Sequence, residues 1–321
     1  MKVSVWMSAY NHEKYISQCI DAVLMQKTDF DFDIIIGEDC SKDRTREIVI
    51  EYKNKFPDKI KLFLPEKNIG MMEMDAATWN MCTGEYIALL NGDDYWTDEN
   101  KLQTQSDFLD NNKDTVMCFH KAKVVNEITG DSFETVFLED GNELPDELPI
   151  ESLLNGYNPV MTPTVMIKNI LSIPDNYTEL PYGDMPLYLL LTEKGKIKYI
   201  DKLMSVYRIH PSGQWQGETV YNNLLKDLKF YEKMNDKMNY KYDKQIKKIF
   251  AQRYFDLIIS DINQMNTEEA KINFEKLKFN NTDYSQISEE EINNLHQILF
   301  KDRDTSSYKS FLSREVKWKI N

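Results

Sequence analysis

Along the first third of the chain, short apolar runs alternate with stretches whose apolar residues recur every three or four positions. VSVWM (3–7), DIIIGED (33–39), IKLFLPE and EYIALL read as buried strands. Between them, Tyr15, Ile16, Cys19, Ile20, Val23 and Leu24 share one face of a helix running from Tyr15 to Met25, with Asn11 as its N-cap. Ile48, Val49, Tyr52 and Phe56 mark a second helix. Strand, helix, strand at this rhythm predicts an α/β fold with a mostly parallel sheet and helices on both faces.

From about residue 115 the rhythm changes. VMCFHKAKVV, TVMIKN and KIKYIDKLMSVYRIH read as strands separated by long irregular segments, and the acidic EDGNELPDELPIE (139–151) reads as a surface loop. From Val220 onward, apolar positions fall every three to four residues in YNNLLKDLKFYEKM, KQIKKIFAQRYFDLIISDI and EEAKINFEKLKF, which predicts helices. The expected organisation is an α/β domain over 1–218, in halves 1–114 and 115–218, followed by a helical region over 219–321.

In an open sheet of this kind, ligands bind in the crevice beyond the C-terminal strand ends. Asn11 and Glu13, Glu38 and Asp39, Asn68, and finally Asn91, Asp93 and Asp94 sit at such ends. The string NGDD is a good turn former. It also offers paired carboxylates, the hard oxygen donors a divalent cation takes. Acids outnumber bases 53 to 39, for a net charge of −14. That balance speaks against nucleic acid as a partner and against an overall basic membrane-binding face. Cys19, Cys40, Cys82 and Cys118 lack the close spacing of a zinc knuckle or redox pair, so buried thiols in a reducing compartment are expected. With no signal-like segment and no apolar run of about 18 residues, the expectation is a soluble, cytoplasmic protein.

VSVWMSAYNHEKYISQCIDAVLMQ, IIIGEDCSKDRT, NIG, TGEYIALLNGDDYW and GDMPLYLLLTEKGKIKYIDKLMSVYRIHPSG follow one another over residues 1 to about 215. In this order they resemble the inverting nucleotide-sugar glycosyltransferases of glycosyltransferase family 2, which have the GT-A fold. The helical tail lies outside the resemblance. What the resemblance implies is metal-dependent inverting transfer of a hexosyl or N-acetylhexosaminyl group. The donor would be a nucleotide diphosphate sugar, uridine-linked, and the acceptor a hydroxyl of a growing cell-surface glycan, lipid-linked or on a protein. The nucleotide would occupy the first half of the domain and the acceptor the second.

Residue by residue, the resemblance puts Asp93 and Asp94 at the family's metal-binding Asp-x-Asp position, for Mn²⁺ or Mg²⁺. Such a cation neutralises a leaving diphosphate without a basic pocket. Asn91 stands where the family usually has an acid, and keeps hydrogen-bonding capacity toward a ribose. His210 is the further candidate ligand, with Arg208 and Ser212 near the diphosphate and Trp96 and Trp215 offering sugar-stacking faces. Asp39 matches the carboxylate that reads the uracil imide N–H, while Ser8, Tyr10, Glu13 and Asn68 lie with the base and nucleotide. Asp184 in YGDMPLY matches the general base, and Gly183 stands where a second acid often sits. Asp75 stands where relatives often carry an arginine, an unfavourable place for a carboxylate beside a diphosphate.

Structural roles compete with several of these: helix caps for Asp39 and Asp184, a fold role for His210, core positions for Tyr10 and both tryptophans. Two other functions also compete. A nucleotidyltransferase of similar sheet should show a Gly-rich basic loop after the first strand, and SAYNHEKY has no glycine. The other is a non-catalytic binding or assembly protein. The C-terminal helices leave packing back, homodimerisation and partner recruitment open, and SREVKWKIN has the basic-aromatic character of a peripheral membrane contact at the inner face.

Overall fold

The computed structural model describes residues 1–135, 143–154, 158–173, 177–213, 219–281 and 286–301. The chain divides into two compact units, one made of Met1–Leu153 and Asn158–Gly213, the other taking in Leu154 and the chain from Gln214.

In the first unit, strands β1 (Val3–Ala9), β2 (Phe32–Glu38), β3 (Ile60–Phe63) and β4 (Tyr86–Asn91) pair in parallel in the order β3-β2-β1-β4. Helices α1 (Ile16–Leu24), α2 (Thr45–Lys55) and α3 (Met71–Trp79) connect them. β2 is buried along its whole length, as its near-continuous apolar run requires. That burial takes in Glu38, whose carboxylate accepts from Arg46 Nε and from the Ser41 N–H at 2.6 Å. Arg46 also donates to the Glu38 and Pro65 carbonyls. Arg46→Ala therefore leaves a buried carboxylate without its cation, and denaturant unfolding should show a loss of about 3–5 kcal/mol.

α1 does not start as the sequence suggests. Asn11 adopts a left-handed φ of 57° and accepts from the Lys42 N–H, while Tyr15 occupies the N-cap without capping the helix through its side chain. α3 has no counterpart among the predicted helices. It packs on the sheet through Met74, Thr78 and Trp79, with Trp6 donating to Thr78 Oγ1 at 2.7 Å and stacking edge-on against Trp79. The approach is close enough that a Cβ on Gly37 would stand 2.6 Å from Met74 Sδ.

The second half of this unit adds β5 (Tyr95–Trp96), α4 (Lys101–Asn111), β6 (Thr115–Asn126), β7 (Ser132–Glu134) and α5 (Ile150–Leu153). A 3₁₀ turn at Thr162–Thr164, β8 (Met166–Lys168), a second 3₁₀ turn at Tyr177–Glu179, α6 (Asp184–Thr192) and β9 (Lys196–Ile209) follow. The sheet continues from β4 through β8, β6 and β9 to β5, with β7 against β6. Of the expected acidic loop 139–151, residues 139–142 lie outside the described residues, and its end at Ile150 begins α5.

β5 pairs antiparallel with β9, and this long-range register corrects the expectation for Trp96. The indole is 1% exposed, donates to the Pro163 carbonyl at 2.9 Å and lies under the Lys101 ammonium, 4.1 Å from the ring centroid. It is a core residue and offers no face to a sugar. Trp215 and the segment 313–321 lie outside the described residues.

In the second unit, α7 (Val220–Lys237), α8 (Asp243–Asn263), α9 (Thr267–Asn280) and α10 (Glu289–Phe300) follow the predicted periodicity, with α10 added. Phe255, Ile258, Phe274, Leu277 and Leu295 form one apolar core, and Leu224, Leu228 and Leu257 a smaller one. A Ser288–Glu291 capping box starts α10. Among the described residues, no helix is long and apolar enough to cross a membrane.

Candidate active site

Parallel pairing brings the C-terminal ends of β1, β2 and β4 to one rim. Ser8 is in register with Asn91 and donates to its Oδ1 at 3.1 Å. Asp39, just past β2, accepts the Ile69 and Gly70 N–H groups at 2.7 and 2.8 Å, one on each oxygen, and its carbonyl accepts from Asn68 Nδ2. The carboxylate thus fixes the turn before α3, and each oxygen keeps a second lone pair for another donor. Tyr10 is exposed on the rim. Glu13 accepts the Arg44 N–H while its own N–H donates to Asp43, tying the loop after β1 to the start of α2.

The turn after β4 gives Asp93 and Asp94 different partners. Asp94 is buried, and its Oδ1 accepts the Arg208 N–H at 2.8 Å. Asp93 Oδ2 faces two imidazoles, His210 Nε2 at 3.1 Å and His12 Nε2 at 3.6 Å. His210 Nδ1 faces Ser212 Oγ at 2.9 Å, so both its ring nitrogens are engaged. Arg208 is engaged as well: its guanidinium donates to the Asp93 carbonyl and Gln18, lies 3.6 Å from Glu127, and sits over the rings of Tyr15 and Tyr95. Its contacts hold this end of β9 to the acid turn.

His12 is the site residue the sequence did not reveal, because a lone histidine in a loop carries no periodic signal. The glycine of NGDD makes room for it: a Cβ on Gly92 would stand 2.9 Å from His12 Nδ1. Burial raises Asp94 well above the usual carboxylate range, and the Asp93 charge adds to that. Asp93 itself is lowered: burial opposes ionisation, but the His12 charge and the His210 contact outweigh it. Burial lowers His12, against the pull of Asp93.

Two acid oxygens in this turn, Asp93 Oδ1 and Asp94 Oδ2, are buried without a hydrogen-bond partner. Unsatisfied carboxylate oxygens on adjacent residues fit a hard divalent cation. Among the described residues, no three His, Cys, Asp or Glu side chains are gathered as a ready-made cage. The fit is that of a partial shell, to be completed by ligand oxygens and water.

Asp184 opens α6. Its Oδ2 accepts from Thr162 Oγ1 at 3.0 Å and its Oδ1 from the Met185 N–H at 2.7 Å. The Trp96 bond to Pro163 holds the turn that carries Thr162. Burial raises Asp184 above the usual range, with these two donors acting against the shift. If Asp184 must be ionised to act, the acid limb of a kcat/KM–pH profile has its midpoint above the ordinary aspartate value of about 3.9. A midpoint at or below that value would show that this carboxylate does not limit the rate. Asp75, which the sequence marked as an unfavourable carboxylate beside a diphosphate, is turned inward from α3 and buried.

These groups form one neighbourhood. Tyr207 on β9 is raised by burial and by the charges of Asp94, Asp93 and Asp184, and Asp75 feels both Asp184 and Asp39. The rim thus links the turn anchored by Asp39, the acid turn and the start of α6.

Residues 4–151 match the family described as Glycosyl transferase family 2. An uncharacterized protein of Mycobacterium tuberculosis is 32% identical over 227 residues, covering 67% of this chain and 61% of that protein. An uncharacterized glycosyltransferase of Nostoc is 30% identical over 219 residues, 65% of each chain. The chain thus matches less than two thirds of the length of these relatives. Among solved structures, Staphylococcus aureus TarS 1–349 in complex with UDP-GlcNAc aligns with a TM-score of 0.53 at 20% identity, over 90% of this chain and 93% of that one. With its parallel β3-β2-β1-β4 core and the acid pair at the strand mouth, the chain carries a glycosyltransferase family 2 domain of GT-A fold.

Proposed function

We propose that the chain is a metal-dependent inverting glycosyltransferase. It would move a hexose or N-acetylhexosamine from a uridine diphosphate donor to a hydroxyl acceptor in a cell-surface polysaccharide or glycoconjugate. The observation that carries this reading is the pair of unpartnered buried oxygens, Asp93 Oδ1 and Asp94 Oδ2, at the mouth of a parallel sheet. The likeness to a TarS complex with UDP-GlcNAc supports the donor class. The name of that protein, poly(ribitol-phosphate) beta-N-acetylglucosaminyltransferase, supports a hydroxyl of a polymer as the acceptor. In this reading, residues 1–218 carry the transfer chemistry and 219–321 are a helical region beyond it.

The acceptor oxygen attacks the anomeric carbon from the face opposite the nucleotide, the bond from that carbon to the diphosphate oxygen breaks, and configuration inverts. Asp184 takes the acceptor proton, aimed by Thr162 and the Met185 N–H. Asp39 and the Asn68–Gly70 turn meet the base, while Ser8 and Asn91 face the ribose. Asp93 and Asp94 would hold the divalent cation, while His12 and His210 orient Asp93 through its Oδ2. When bound, the cation offsets the charge that develops on the leaving diphosphate.

The direct test is a thermal-shift screen of nucleoside diphosphates with and without Mn²⁺. A manganese-dependent rise in Tm with UDP is expected. A rise with a different nucleotide keeps the transferase and overturns the uracil role of Asp39. No rise with any nucleotide overturns the reading in favour of a non-catalytic protein.

A further inference from the structure

Helix α3 and the loop before α6 meet at one point. A Cβ built on Gly183 would stand 2.5 Å from Asp75 Oδ2 and 3.4 Å from the Tyr177 hydroxyl, which donates to the Gly183 carbonyl at 2.6 Å. Gly183 has an ordinary φ of −90°, so space rather than backbone freedom is what calls for glycine there. Asp75 is 3% exposed, and its Oδ1 is buried without a partner. The next residue along the loop is Asp184.

We propose that Asp75 is a positioning residue for Asp184: packed against Gly183, it brings a second acid from α3 to the loop that presents the base. The inference rests on reading Asp184 as the base. Two sequence features that look unrelated, a carboxylate after NIG and a glycine before Asp184, then explain one another. The side chain missing at 183 is the space that Asp75 fills.

Two buried carboxylates that feel one another's charge repel, which favours a proton on one of them. The contacts decide which. Asp184 has a donor on each oxygen, from Thr162 and Met185, and such donors favour the charged form. Asp75 Oδ1 has none. Burial above all, then the charges of Asp184 and Asp39, push Asp75 well above the usual range. Asp75 therefore carries the proton and Asp184 the charge. The other titratable groups facing the pair are Asp39 past β2, Tyr177 on the second 3₁₀ turn, Tyr188 on α6 and Tyr207 on β9. Burial raises all three phenols, which keeps them neutral at working pH, and Asp39 is fixed by the Ile69 and Gly70 N–H groups.

The decisive measurement is a ¹³C-carboxyl NMR titration of the full chain labelled at aspartate. One aspartate carboxyl resonance titrates well above the ordinary aspartate range and disappears in Asp75→Asn. In Asp184→Asn, the Asp75 midpoint falls by about one pH unit or more, because the neighbouring negative charge has gone. An Asp75 midpoint unmoved by Asp184→Asn overturns the pair. A thermal cycle tests the contact independently. Gly183→Ala lowers Tm by about 3–8 °C in the native background. In Asp75→Ala it lowers Tm by less than half as much, because the new methyl takes the vacated space. Equal losses in the two backgrounds overturn the contact. Full turnover in Asp184→Asn with the midpoint shift intact removes the base assignment alone; lost turnover with no midpoint shift removes the role of Asp75 alone.

Discussion

Asp184→Asn should lower sugar transfer by about 10²–10⁴-fold, the usual contribution of a positioned general base, while leaving UDP–Mn²⁺ binding intact. The substitution keeps shape and removes proton affinity. Asparagine still accepts the Thr162 hydroxyl at its carbonyl oxygen, so the loop before α6 keeps its anchor. It also removes a charge that burial disfavours. The sign of the stability change follows from the direction of that shift. A carboxyl raised in the folded state binds more protons there than in the unfolded chain, so its ionisation subtracts stability as pH rises past the unfolded value. The variant loses one acceptor, because its amide nitrogen faces the Met185 N–H, but it also sheds a charge that burial disfavours. It should stay folded near neutral pH, and its Tm measured beside turnover separates lost activity from unfolding. The experiment pairs steady-state transfer rates with the UDP–Mn²⁺ thermal shift. A variant that binds the nucleotide and still turns over at the parental rate would remove Asp184 from the chemistry and leave only its contacts to the loop.

The strand-end rim was legible because short, mostly apolar strands are followed by polar residues, and that pattern survives in the parallel sheet. Helix α3 was not legible because its buried face is chemically mixed. Asp75 and Thr78 lie on it beside Met74 and Trp79, so no apolar stripe stands out. Trp96 fails for a different reason. An indole that stacks on a sugar and an indole that fills a core are the same residue in a sequence, and only the β5–β9 register decides between them. Asn11 was read as a cap from its residue type, whereas its side chain bonds to the Lys42 N–H from another loop. Arg208 offered phosphate recognition by type as well, but two aromatic rings and Glu127 take up its guanidinium from elements far along the chain. In each case the missing information is a contact between segments distant in sequence, which local pattern does not carry.

Asp93→Asn should abolish the manganese-dependent thermal shift with UDP and cut transfer by about 10³-fold, equivalent to roughly 4 kcal/mol of transition-state stabilisation. Asp93 is a cleaner probe than its neighbour. Asp94 is buried and holds the Arg208 N–H, so truncating it strands a backbone donor at the end of β9 and confounds binding with folding. Asp93 faces His210 and His12 through Oδ2 and leaves Oδ1 unpartnered. The amide can keep the histidine contact through its oxygen while removing the negative charge a cation needs. A chelator should act on the parent protein as the substitution does, erasing the UDP shift. Added Mn²⁺ should restore it in the parent but not in Asp93→Asn. An undiminished UDP shift in both chelated parent and variant would mean that the nucleotide binds without a cation. The two unpartnered oxygens would then need another explanation, such as ordered water satisfying them in the acid turn.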